Sequence, residues 1–336
     1  MKRIGVFTSG RDAPGTNAVL RAIGRTSFEH DYEVIAFRNG MEGVVENDSF
    51  MMDRSYVSGI LPIGGTILGT SLSDPYLENH NAIKEMKKIQ EKLSITCFIG
   101  VGSFTTMKLC SFMKASEIPV IGIPATIDNN IPGTDYSVGF QTAVNYVSGS
   151  LDRLHSTASS HHRVFLVEVM GGQCGWIALY GGLTGGADLI IIPEKAYSIQ
   201  EVVSHIRKRE GEGKFFSIVV LADTAGFPND ISEQEKQQIN DHNGLLQFLS
   251  LEIVKETGME TRQLILGHLQ RGGSPLATDR LLGTLLGNAS VECIRRGITG
   301  VLVGQINGHI EYTDLELIKA KRPVDLQLLN IARIFY

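Results

Sequence analysis

Short apolar runs rich in β-branched residues recur along the chain as RIGVFTS, EVIAF, ITCFIGVG, PVIGIPAT, VFLVEVMGG, DLIIIPE, FSIVVLAD, QLILGH and GVLVGQI. Between most of them the apolar positions follow a helical period, which predicts helices over Thr16–Glu29, Asn79–Lys92, Val138–Ser156, Ile199–Glu210 and Leu276–Arg296. Continuous apolar strands alternating with such helices imply an α/β fold whose mainly parallel sheets are covered on both faces. Ligands of these sheets sit at the carboxyl ends of the strands. The Gly-rich and polar clusters fall there: TSGRDAPGTN, IGGTILGTS, GVGSFTT, PATIDNNIPGTD, MGGQCG and GHLQRGGSP. One stretch, Phe227 to Gly244, is polar with almost no apolar face, and reads as a surface excursion before a helix that begins near Leu245.

Composition narrows the class. At 336 residues the chain suits two domains, and 43% hydrophobic residues with 20% charged ones describe a globular protein and not a disordered one. A formal net charge of −5 argues against a general nucleic-acid or membrane-surface binder, so any anion site must be local. The four cysteines, Cys97, Cys110, Cys174 and Cys293, lack metal spacing and read as free thiols of a reducing compartment. The basic pair at the start leads straight into a short strand, and no run approaches the length of a membrane span, so a cytoplasmic protein is expected.

The stretch CFIGVGSFTTMKL, Cys97 to Leu109, has the strand, glycine turn and helix start that cradle phosphates in α/β proteins. A nucleotide arriving with magnesium needs a carboxylate nearby. Between Lys92 and Ile127 the only acidic residue is Glu117.

Taken in order, TSGRDAPGTNA, GGTIL, PATIDNNIPGTDYSVGFQTA, SSHHRVFLVEVMG and ETRQLILGHLQRGGSPLATDR closely resemble the 6-phosphofructokinase family over nearly the whole chain. The resemblance implies a two-domain α/β kinase fold, usually tetrameric, that phosphorylates fructose 6-phosphate at O1 from MgATP. It implies Thr126 and Asp128 at the reacting hydroxyl, with Asp128 as general base. Taken alone, Asp128 reads as a capping or turn aspartate, and the surrounding match reverses that. Arg163, Arg262, His268 and Arg271 match the sugar-phosphate ligands, Met170 and Gly171 the sugar-ring contacts. Asp223 stands for the family's glutamate, one methylene shorter. In the family, residues at the positions of Arg163 and Arg262 reach into the neighbouring subunit's site.

The nucleotide half departs from the pattern. Where the family reads GGDGS, this chain has Gly102-Ser103-Phe104-Thr105-Thr106, which puts Phe104 in place of the magnesium aspartate, or Val101 if one gap is allowed, and either alignment loses the ligand. An ordinary strand-to-helix turn is then the favoured reading of that loop. Arg11 replaces a phosphate-loop glycine, where it either fills part of the nucleotide site or binds another anion. Leu72 and Gly172 replace arginines, Met41 a tyrosine near the adenine, and Asn130 the second aspartate of TIDND. One arginine that stabilises phosphoryl transfer is worth about 10³ to 10⁵ in rate. The family uses Mg²⁺ and ATP, but with its metal ligand missing no cofactor is expected here.

The resemblance also places Arg21, Arg25, Arg54, Asp188 and Lys214 at the family's effector site for ADP or phosphoenolpyruvate, although Arg21 and Arg25 equally suit a solvated helix face. It divides the chain into a larger domain, 1–139 plus about 253–305, and a smaller one, 140–252 plus about 306–336. The expectation drawn from all of this is a subunit that binds fructose 6-phosphate but has lost its donor site, a catalytically impaired regulatory partner in a hetero-oligomeric phosphofructokinase. The alternatives are an active ATP-dependent 6-phosphofructokinase with an atypical metal site, and a stand-alone sugar-phosphate sensor.

Overall fold

The computed structural model describes residues 2–240 and 244–335. Its strands are β1 (Arg3–Ser9), β2 (Glu33–Phe37), β3 (Ser49–Met52), β4 (Ile95–Gly102), β5 (Val120–Pro124), β6 (Val164–Val169), β7 (Leu189–Ile191), β8 (Ser217–Ala222), β9 (Thr261–Ile265), β10 (Val301–Ile306) and β11 (His309–Asp314). The α-helices are α1 (Thr16–Glu29), α2 (Met41–Glu46), α3 (His80–Leu93), α4 (Phe104–Ala115), α5 (Phe140–His161), α6 (Trp176–Thr184), α7 (Ile199–Gly211), α8 (Glu233–Gln238), α9 (Gly244–Thr257), α10 (Ala277–Arg295) and α11 (Leu326–Ala332). They divide between two units, Met1–Thr142 with Arg271–Arg322, and Ala143–Gln270 with Pro323–Tyr336.

The first unit is built on a seven-stranded sheet in the order β11-β10-β5-β4-β1-β2-β3. Its pairs are parallel except for the two edges, where β3 runs antiparallel to β2 and β11 to β10. Side chains alternate across it: Ile4 and Val6 of β1 enter one layer with Leu20, Ile23 and Leu286, while Phe7 enters the opposite layer with Phe98, Met86 and Met107. Helices α1 and α10 therefore cover one face, and α2, α3 and α4 the other. Contact between α1 and α10 is close because Gly287 lies over the α1 backbone, where a Cβ would come within 2.6 Å of the Val19 carbonyl oxygen. At its amino end α10 presents Asp279, fully buried, whose carboxylate accepts hydrogen bonds from the N–H groups of Gly139 and Thr142 (both 2.8 Å) and from the Thr142 hydroxyl (2.6 Å). Those are free donors of the first turn of α5.

The second unit has a four-stranded parallel sheet in the order β7-β8-β6-β9, with Val164, Leu166, Val219 and Leu221 packed under α7 and α9. Pairing of β9 with β6 places residues 253–270 in this unit, and pairing of β11 with β10 holds residues 306–314 in the other. The division drawn from the sequence differs at both places, because sheet partnership and not chain order decides which unit a strand joins.

The polar stretch after Phe227 also differs from expectation. Ser232 and Glu235 form a reciprocal capping box that starts α8, Asp230 accepts from the N–H groups of Ile199 and Gln200 at the start of α7, and Ile239 is buried. Residues 241–243 of that stretch lie outside the described residues. The four cysteines are buried free thiols, and burial pushes the Cys97 and Cys110 thiols far up. No helix among the described residues is long and apolar enough to cross a membrane.

Candidate functional site

In the first unit the carboxyl ends of β1 and β4 and the segment after β3 are tied together by buried hydroxyls. The Thr106 hydroxyl donates to the Ser9 carbonyl (2.8 Å) and lies 3.1 Å from the Ser73 hydroxyl, which in turn meets that of Ser9 at 2.9 Å. Gly102 is pressed against the same carbonyl, where a Cβ would come within 2.0 Å of the Ser9 oxygen. The loop after β4 is thus a tightly packed strand-to-helix turn.

Asp128 lies just beyond β5. Its backbone N–H donates to the buried Thr126 hydroxyl (3.2 Å), and its Oδ1 accepts no hydrogen bond among the described residues. Arg271, with a side chain only 5% exposed, donates through Nη1 to the Asp12 carbonyl (3.2 Å) and places Nη2 3.9 Å from Asp128 Oδ1. One guanidinium therefore spans the loop after β1 and the aspartate after β5. Burial pushes the Asp128 carboxyl above its ordinary value, while the charges of Arg271, Arg11 and Lys321 and the Thr126 hydrogen bond pull it back. Lys321 was not singled out from sequence. Its neighbour Arg322 fixes it, donating to the carbonyls of Asn129 (3.2 Å) and Asp135 (2.7 Å).

The positions read from sequence as a degenerate nucleotide site have separate fates. Phe104 opens α4 and packs in the core under α3 and α4, and Met41 is fully buried in the same layer, so neither side chain faces a ligand. Leu72 and Arg11 are exposed, and Asn130 is buried beside Asp128. Gly172 lies in the second unit at a left-handed φ of 57°.

In the second unit Met170 and Gly171 follow β6, Asp223 follows β8 and His268 follows β9, all at the carboxyl end of the sheet. Asp223 N–H donates to the Val169 carbonyl (2.8 Å), and Met170 N–H to Gln270 Oε1 (3.3 Å). Arg163 and Arg262 stand at the opposite end. Arg163 precedes β6, Arg262 is the second residue of β9, and both pair with Glu260, Arg163 Nε at 2.6 Å. These pairs hold the Glu260 carboxyl below its ordinary range, Arg163 first.

The residues assigned to an effector site divide likewise. Arg21, Arg25 and Arg54 belong to the first unit, where Arg54 pairs with Glu29 at 3.4 Å and lies over the Phe28 ring. Asp188 and Lys214 belong to the second; Asp188 is buried against Arg209 at 2.7 Å, and Lys214 is 3.7 Å from Glu212. No group of three or more His, Cys, Asp or Glu side chains that could hold a metal ion occurs among the described residues.

Parallel sheets carrying polar loops, a buried carboxylate and cations at their strand ends define an α/β protein built for anionic substrates. Residues 3–294 match the family described as Phosphofructokinase, and the chain belongs to that family. It is 37% identical to the ATP-dependent 6-phosphofructokinase of Halothermothrix orenii over 99% of both chains. It is equally 37% identical to the pyrophosphate–fructose 6-phosphate 1-phosphotransferase of Dictyoglomus thermophilum, over 99% of this chain and 98% of that one. Among solved structures, phosphofructokinase from Saccharomyces cerevisiae superposes with a TM-score of 0.83 at 27% identity, over 95% of this chain and 45% of the longer yeast chain. These relatives overturn the expectation of an inactive regulatory subunit. Full-length similarity is to proteins named for phosphotransferase activity, which favours the alternative of an active 6-phosphofructokinase.

Proposed function

We propose that the chain is an ATP-dependent 6-phosphofructokinase that transfers the terminal phosphoryl group of ATP to O1 of fructose 6-phosphate. Its family binds fructose 6-phosphate and is often oligomeric. Asp128 carries the reading: a nearly buried carboxylate at a strand end, with a free oxygen and with Arg271, Arg11 and Lys321 converging on it from three segments. As general base it takes the O1 proton while the bond from O1 to phosphorus forms and the bridging phosphorus–oxygen bond breaks, ADP leaving with that electron pair. Charge spread over the moving phosphoryl group then meets the buried guanidinium of Arg271, where a charge acts most strongly, with Arg11 adding its own from an exposed loop. In this reading Arg11 supplies charge that the family draws from the arginines replaced by Leu72 and Gly172. Magnesium comes with the nucleotide as part of the substrate. It keeps several waters and needs few protein ligands.

Met170, Gly171, Asp223 and His268 are assigned to the sugar, and Arg163 and Arg262 to the 6-phosphate of a second copy's substrate. Within the second unit these two sets stand at opposite ends of β6, six residues long, or roughly 16 Å. One ligand does not span both sets in a single chain, so the reading calls for a homo-oligomer.

Purified protein with fructose 6-phosphate, Mg²⁺ and either ATP or pyrophosphate tests this. Turnover with ATP on the order of 1–100 s⁻¹ is expected. Turnover with pyrophosphate alone would overturn the donor assignment, and turnover with neither would overturn the function.

A further inference from the structure

At the β7 edge of the second unit a cavity of about 300 Å³, lined by none of the residues assigned above, opens between the strand, the loop after it, α7 and the segment following α11. Its floor is apolar, formed by Ile190, Ile192, Val202 and the Tyr197 ring. Its rim is cationic. Lys195 from the loop after β7, Arg333 from the turn after α11 and Lys208 of α7 line it together with one acid, Glu201, and Lys208 also lies 4.0 Å from Glu212.

Neither Lys195 nor Arg333 makes an ion pair among the described residues. The two acids nearest in sequence or space are already engaged. Both carboxylate oxygens of Glu194 accept from the Gly175 N–H (3.0 Å each), and one also from the Val324 N–H (3.1 Å), a bond that anchors the segment leading to Arg333. Glu201 accepts from the Ser198 N–H (3.0 Å) in the capping box that starts α7. Burial and the charge of Arg333 together hold the Lys195 amine below its ordinary value, although Glu201 opposes this. His205 on the same wall is also held below its ordinary value, by burial first and then by Arg209.

Lys195 and Arg333, neither of them in an ion pair among the described residues, leave the rim with more positive charge than Glu201 offsets, and such an excess over an apolar floor costs free energy unless an anion arrives. We propose that this cavity is a binding site for a small phosphate monoester, with Lys195 and Arg333 holding the phosphate and the apolar floor its organic part. The rim charge matches a phosphate dianion, and a guanidinium presents paired donors to phosphate oxygens. The size suits a compact metabolite, being at the lower end of small-molecule pockets.

Calorimetric titration of the full chain with phenyl phosphate tests the assignment, with inorganic phosphate and benzyl alcohol as comparison ligands. Lys195→Ala and Arg333→Ala should each weaken phenyl phosphate at least tenfold, while Lys195→Arg and the double variant Arg163→Ala/Arg262→Ala retain it. Inorganic phosphate should bind at least tenfold more weakly and benzyl alcohol not measurably. An unchanged affinity in Lys195→Ala and Arg333→Ala overturns the site, as does a loss confined to the Arg163→Ala/Arg262→Ala protein. Equal affinity for phenyl phosphate and inorganic phosphate would reduce it to a free-ion site and overturn the organic assignment. Because the readout is binding, an inactive enzyme would leave this test intact.

Discussion

Asp128 is where catalysis and stability conflict. Its folded pKa lies above its unfolded value of 3.8, so the ionised form, the base in the mechanism proposed above, opposes folding at neutral pH. Asp128→Asn is expected to lower kcat about 10²- to 10⁴-fold and at the same time to raise Tm at pH 7. The gain in Tm should shrink as pH falls through the raised folded pKa and vanish below 3.8, where the wild-type carboxyl is also neutral. Thermal denaturation across pH reads this directly, and an equal or lower Tm at pH 7 would show that the carboxylate is stabilised in place. Arg11 bears on the same group. Removing its charge in Arg11→Gly should move the acid limb of the kcat/KM profile to higher pH and lower kcat tenfold or more, with Arg11→Lys retaining most of both. If Arg11 instead obstructed the donor, Arg11→Gly would raise kcat. The sequence showed Arg11 as a departure from a glycine loop but gave no direction for its side chain. Its charge nonetheless acts on Asp128, pulling that carboxyl back down alongside Arg271, which bridges the Asp12 carbonyl and Asp128.

Elements were legible where a single physical signal sufficed. Strands β1, β2 and β4 and helix α1 follow the apolar pattern to the residue, because buried parallel strands and a helix packed along its length leave an uninterrupted record. The edges did not. β11, His309–Asp314, has no apolar face to read, being largely exposed, and its true signal is the Asn307–Gly308 turn. Both residues have positive φ, 51° and 81°, the geometry of a two-residue hairpin. Ser232 and Glu235 likewise spelled a helix start inside a stretch that hydrophobicity alone marks as irregular. Phe104 and Met41 are instructive in the other direction: matched by resemblance to ligand positions, they are claimed by the core. Asp279 was quoted only as part of a motif, yet it joins α10 to α5. Asp279→Ala would leave two buried N–H groups and a hydroxyl without their acceptor, and should cost about 2–4 kcal/mol. Urea unfolding measures it; a loss under about 1 kcal/mol would mean that water or a shifted side chain replaces the carboxylate.

At the scale of the whole molecule the placement of Arg163 and Arg262 decides what a complete site requires. Both lie at the amino end of the second unit's sheet, while Met170, Asp223 and His268 lie at its carboxyl end. The resemblance suggested exchange between subunits, and the sheet supplies a reason, since a strand of six residues separates the two sets. Charge alone would not reveal this, because each arginine satisfies itself on Glu260 within its own chain. Complementation gives the sharpest test. On the proposed function, Asp128→Asn chains lack the base and Arg163→Ala/Arg262→Ala chains lack the phosphate grip, so each protein alone should be nearly inactive. Unfolded together and refolded as a mixture, hybrids would contain sites that take the base from one chain and both arginines from the other. With random pairing, about a quarter of the sites would be intact in this sense, and activity should return to that fraction of wild type. If all these residues instead served a site within one chain, every site in the mixture would still carry one of the two defects. Mixing would then restore nothing.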